Sequence, residues 1–102
     1  VRSVPIDEFF LLPGDTPEKE TALNPGEIIT AIGLPKIDGP TKQGYVKVRD
    51  RASYEFALAS AAAVVWMDGG TIRQARIGLG GVATKPWRAK ATEDMLAGKK
   101  PD

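Results

Sequence analysis

The sequence predicts an α+β fold, and three features carry that prediction. The first is an Asp-Gly-Gly turn at residues 68–70 between two extended runs, a strong short-range hairpin signal. The second is the alternation of residues 44–50, where Tyr45, Lys47 and Arg49 fall on one face and Val46, Val48 and Asp50 on the other. The third is one segment with helix punctuation at both ends, residues 85–97.

From the N-terminus, residues 1–6 read as extended, and Asp7 is a candidate cap for a helical turn over 7–10. Residues 13–26 hold Pro13, Gly14, Pro17, Asn24, Pro25 and Gly26, which is loop chemistry. Residues 27–34 (EIITAIGL) are rich in β-branched side chains and stop at Pro35, so a strand is expected. A second loop, 35–43, is a plausible boundary between units.

Residues 56–67 are ambiguous. Their alanines favour helix, whereas the run Val64-Val65-Trp66 entering the Asp68-Gly69-Gly70 turn favours strand. Strand is the reading adopted, paired with 71–79. An even-numbered turn then places Phe56, Leu58, Ala62, Val64 and Trp66 on the face of Ala75, Ile77 and Leu79. The opposite face, Ala57, Ala59, Ala61 and Ala63, is a row of methyls that a helix or another chain can approach closely. In the helix 85–97, Thr84 is the candidate cap, Pro86 suits the first turn and Gly98 follows the end. Trp87, Ala91, Met95 and Leu96 form its apolar stripe. Residues 99–102 are expected to fray.

Composition excludes several functions. The chain has 102 residues, 14 basic and 13 acidic, for a net charge of +1. Such a balance provides no field for nucleic acid or an anionic membrane surface. The longest apolar run, 56–67, is shorter than the roughly 20 residues a membrane helix needs. With no Cys and no His there is no disulfide, thiolate nucleophile, Cys-held cluster, imidazole zinc site or Ser-His-Asp triad. Any redox chemistry must come from a cofactor. The chain opens at Val1 without a Met, as if part of something longer.

The motifs are weak one by one. Residues 78–83 (GLGGVA) match G-x-G-x-x-A between a strand and a helix. A dinucleotide site also needs a βαβ unit and an acidic residue about 20 positions on, and neither fits here. The favoured reading is a glycine-rich strand exit whose backbone passes close to neighbouring structure. Lys47, Arg49, Asp50 and Arg51 form either a cationic contact to a bound anion or a solvated face with local ion pairs. Glu93 and Asp94 diverge by about 100° on a helix, so no acid/base pair forms, and both are assigned to solvent, as are Glu18 and Glu20. Trp66 is taken as core and Trp87 as an interface candidate.

Taken together, three segments are more specific: PGEIITAIGLP at 25–35, KVRDRASYEFAL at 47–58 and GGVATKPWRA at 80–89. They resemble the FAD-binding (medium) subunit of molybdenum-containing hydroxylases. That family includes xanthine dehydrogenases, aldehyde oxidoreductases and the carbon monoxide dehydrogenase flavoprotein. The resemblance implies that residues 1–35 end an FAD-binding domain and that 36–43 are a linker. Residues 44–102 would then be the small C-terminal domain, a three-stranded antiparallel sheet with helices packed on it, here without its last helix. It places Ile29 and Lys47 beside the flavin, with no catalytic residue and no metal ligand in this chain. The cofactor is FAD, whose pyrophosphate-binding glycines lie outside these residues, so the chain alone should neither hold FAD tightly nor act as an enzyme. The implied partners are a large subunit with the molybdenum cofactor and a small 2Fe-2S subunit. The implied compartment is the cytoplasm, with the periplasm as the alternative. A competing reading is a non-catalytic α+β interaction module whose alanine face docks a partner chain.

Overall fold

The computed structural model describes all residues, Val1–Asp102. They form two compact units, Val1–Lys36 and Ile37–Asp102.

The first unit is mostly loop, as its prolines and glycines require. A short helix α1, Ile6–Phe9, starts from Pro5. Pro5 takes the cap position that the sequence suggested for Asp7, which lies instead in the first turn; no side chain caps this helix. After it the chain doubles back. Phe10 bridges Thr21, the Leu11 amide donates to the Glu20 carbonyl at 2.9 Å, and the Ala22 amide donates to the Phe9 carbonyl at 2.8 Å. Residues 27–34, expected as a strand, form none. No neighbouring strand offers them a ladder, and β-propensity has little force without one. Ile28, Ile32 and Leu34 are accordingly exposed.

The second unit is a four-stranded antiparallel meander with one helix. Strands β1 (Thr41–Val48), β2 (Ala59–Asp68), β3 (Thr71–Gly80) and β4 (Trp87–Arg88) lie in that order, and helix α2 (Lys90–Leu96) follows. The extended reading of 56–67 holds for its larger part. The turn between β2 and β3 has Gly69 at φ 53° and Gly70 at φ 83°, left-handed values that explain two successive glycines. The Thr71 hydroxyl donates to the Asp68 carbonyl at 2.7 Å across it.

Two expectations need correction. The sheet has four strands where three were expected, and the fourth lies inside the segment expected to be helical, so α2 starts at Lys90 rather than near residue 85. Trp87 and Arg88 pair with Leu79 and Gly78 of β3, and that ladder delays the helix. Ala89, not Thr84, occupies the cap position. The second correction concerns faces. Trp66 pairs with Gln74 but Met67 with Ile72, so Arg73 is an extra residue, a β-bulge. One extra residue inverts every later side chain. The partners of Ala75, Ile77 and Leu79 are therefore Val65, Ala63 and Ala61, while Ala62, Val64 and Trp66 oppose Gly78, Arg76 and Gln74. The alanine row and the β3 hydrophobes share one face, not opposite ones.

The core is small. Ile72 and Ala75 are its buried apolar residues. Trp66, expected in the core, is half-buried and donates its indole N–H to the Asp38 carbonyl at 2.9 Å. The residues flanking α2 close the outer edge of β3. The Ile72 amide donates to the Lys99 carbonyl at 2.8 Å and the Gly98 amide to the Ile72 carbonyl at 2.7 Å. Lys99 is thus paired rather than frayed.

Candidate functional site

The loops carrying the two most specific motifs of this unit meet at one end of the sheet. Residues 49–58 join β1 to β2, and residues 81–86 join β3 to β4. Their approach explains the glycine run. Gly81 has φ 77°, and a Cβ there would lie 2.9 Å from the Leu58 carbonyl oxygen and 3.3 Å from that of Ala57. The segment is the close backbone passage expected of a strand exit. Carbonyl oxygens face Gly81, a poor surface for a phosphate.

Lys47 lies on β1 opposite Ser60. Its ammonium donates to the Glu55 carbonyl at 2.8 Å. Arg51 donates its backbone amide to a Glu55 carboxylate oxygen at 3.0 Å and its guanidinium to the Tyr54 carbonyl. The charged cluster is thus neither a bare anion site nor a simple set of ion pairs, since two of its cations hold backbone carbonyls. Tyr54 has φ 53°. Tyr54 and Phe56 are 95% and 94% exposed, and Leu58, Val82 and Trp87 are exposed as well. This end of the sheet is therefore apolar and fringed by cations.

Ile29 belongs to the first unit, in the irregular stretch after the turn at 24–27, and is 56% exposed. That turn is fixed by Arg2. Its guanidinium donates to both Glu27 carboxylate oxygens at 3.0 and 2.7 Å and to the Ala22 carbonyl at 2.6 Å. These bonds with Arg2, followed by the Asn24 amide, hold the Glu27 carboxyl down to about 2.

Sequence reasoning missed Glu93, which it had assigned to solvent. Glu93 is 3% exposed. Arg88 donates through Nε at 3.0 Å and Nη2 at 2.7 Å to the two carboxylate oxygens. The Ile77 amide donates to Oε1 at 2.8 Å, and Arg76 lies 3.7 Å away. The carboxylate takes the place of a strand carbonyl beside β3 just where β4 has ended. Arg88 lowers its pKa to about 2 against the opposing effect of burial. The signal in the sequence was slight: Arg88 and Glu93 are five apart across the strand-to-helix junction. Asp94, in contrast, is exposed and pairs with Lys90 at 2.6 Å.

No group of three or more acidic, His or Cys side chains is placed to hold a metal. No helix is long and apolar enough to cross a membrane.

An antiparallel meander edged by a short helix, with its motif loops gathered at one end, defines an α+β domain of the kind the sequence motifs suggested. Residues 44–102 match the model of the CO dehydrogenase flavoprotein C-terminal domain, and the chain belongs to that family. It is 51% identical over 96 residues to the aldehyde oxidoreductase FAD-binding subunit PaoB of Escherichia coli, covering 94% of this chain and 29% of that protein. It is 39% identical over 99 residues to the glyceraldehyde dehydrogenase medium chain of Sulfolobus acidocaldarius, covering 97% and 33%. The carbon monoxide dehydrogenase of Hydrogenophaga pseudoflava, solved without the Mo-pyranopterin moiety of its molybdenum cofactor, superimposes with a TM-score of 0.83 at 34% identity, over 99% of this chain and 33% of that one. The chain thus spans about a third of the length of these relatives.

Proposed function

We propose that this chain serves within the FAD-binding medium subunit of a molybdenum-containing hydroxylase of the aldehyde or xanthine oxidoreductase type. There, residues 1–35 end the FAD-binding domain, 36–40 lead into β1, and the sheet from Thr41 onward belongs to the small domain that walls one side of the flavin. The observation that carries the reading is the 51% identity to an FAD-binding subunit over 94% of the chain.

The residues fit that role in part. A lysine beside exposed apolar side chains suits the edge and face of a planar ring that gains negative charge on reduction. The carbonyl-lined passage at Gly81 does not suit a pyrophosphate, whose binding belongs to other parts of such a subunit. When bound, the flavin would take electrons from the molybdenum and iron–sulfur centres of partner subunits and pass them to an acceptor. This chain's residues would wall the ring and exclude water, with Ile29 and Lys47 on the wall and Lys47 favouring the reduced state.

The test is FAD content. The complete subunit should purify with stoichiometric FAD absorbance, and the chain alone should not retain it through gel filtration. A complete subunit that folds without binding FAD would overturn the reading. A second role, in assembly, is favoured by the sparse core and by the exposed Val46 and Val48 beside the alanine row.

A further inference from the structure

The loop between β1 and β2 is held by an unusual set of bonds. Tyr54 adopts φ 53°, a left-handed conformation that costs a residue with a Cβ roughly 1–2 kcal/mol. Its ring is almost wholly exposed, so contacts of its own side chain do not offset that cost. The compensation lies in the backbone. Two successive carbonyls, those of Tyr54 and Glu55, accept from two cations, Arg51 and Lys47. The Glu55 side chain turns back to accept from the Arg51 amide. Below this ring of bonds the Leu58 amide donates to the Val48 carbonyl at 2.8 Å, and Gly81 packs against the carbonyls of Ala57 and Leu58. Hydrogen bonds from charged donors are the stronger kind, and strained backbone persists where its surroundings over-determine it.

We propose that Arg51 and Lys47 are positioning residues that clamp residues 50–57 into one arch presenting Tyr54 and Phe56, and that Lys47 acts on the flavin largely through this arch. The second half rests on the flavin reading above; the clamp itself does not. Lys47 alone is then insufficient. Arg51, which the sequence reading gave no role of its own, is required as its partner. A guanidinium and an ammonium are not equivalent here: Arg51 reaches forward across three residues, whereas Lys47 reaches from β1 across eight.

The test is amide hydrogen exchange on the whole chain. Arg51→Met and Lys47→Met should each speed exchange of the Arg51 and Leu58 amides about tenfold, the size expected for a lost charge-assisted bond. The amides of β2 and β3 should keep their protection. Arg51→Lys should restore part of the loss. Tyr54→Gly, which removes the left-handed strain, should leave the loop amides at least as protected and should rescue Arg51→Met. Unchanged loop exchange in both Met variants would overturn the clamp. If those variants lose protection throughout the sheet, Tyr54→Gly decides the matter, because faster loop exchange in that variant also overturns the clamp. In the complete subunit, both Met variants should shift the flavin potential in the same direction. A shift with Lys47→Met alone would overturn action through the arch while leaving the flavin reading intact. A loop that opens in both variants with no shift in either would overturn the flavin reading and leave the clamp standing.

Discussion

Two Arg–Glu pairs in this chain have the same chemistry and different surroundings. Arg2 and Glu27 meet in the first unit, Arg88 and Glu93 in the second. Each arginine donates to both oxygens of its carboxylate, each carboxylate also accepts from a backbone amide, and each glutamate is held at about 2. The difference is water. The Glu27 side chain is 33% exposed, whereas that of Glu93 is 2% exposed. Geometry and titration therefore do not rank the pairs, but burial does. An exposed pair is screened and contributes little, while a buried carboxylate that loses its partner leaves unpaired groups behind.

The largest effect should come from breaking the buried pair. Glu93→Ala strips the acceptor from the Ile77 amide and the counter-charge from Arg88 and Arg76. It should cost about 3 kcal/mol, the low end for a buried pair because Arg88 is half exposed. Urea unfolding measures this, and a cost near that of an average surface change would remove the distinction between the pairs.

Acid weakens the buried pair over a defined window. The folded-state pKa of Glu93 lies below the ordinary carboxylate value of 4.5, so its contribution is fully present above 4.5. That contribution falls away as pH drops from there through about 2. Glu93→Gln should therefore remove the second unit's share of the stability lost between pH 5 and pH 2, and Glu27, equally low, accounts for a share in the first unit. Thermal melts at pH 5, 4 and 3 read this directly, and a curve as steep as the parent's would assign acid sensitivity to other groups.

Gly81→Ala should come next, at about 1–2 kcal/mol for the left-handed backbone, with more from the 2.9 Å approach to the Leu58 carbonyl oxygen. The melting temperature should fall, and exchange should rise first at the Leu58 amide. The smallest effect should be Arg2→Ala, no larger than an ordinary surface substitution and shrinking further in high salt. A larger, salt-independent cost would mean that the first unit relies on Arg2 as the second relies on Glu93.

The contrast also shows what a sequence displays. Asp68-Gly69-Gly70 announced the β2–β3 turn because two left-handed positions leave glycine as the natural choice. The strands on either side were legible for the same reason. The bulge was not, since nothing in residues 71–75 marks Arg73 as an extra residue, and that one residue inverted the predicted faces. Residues 27–34 carry strand composition but no partner strand, so composition misled. Glu93 looked like half of an ordinary acidic helix pair because its neighbour Asp94 is one. Its burial depends on β4 ending at Arg88, a tertiary event with no local signature. The roles proposed for Lys47 and Ile29 come from family resemblance alone, and the bonds from Lys47 and Arg51 to carbonyls were visible only in three dimensions.

The central claim is that this chain forms part of a flavin's wall. The flavin midpoint potential of the complete subunit, compared between the parent and Lys47→Met, tests it most directly. Loss of Lys47, which supports the arch beside the flavin and favours its reduced state, should move the potential to more negative values. An unchanged potential in a subunit that still binds FAD would contradict the account and leave assembly as the domain's role.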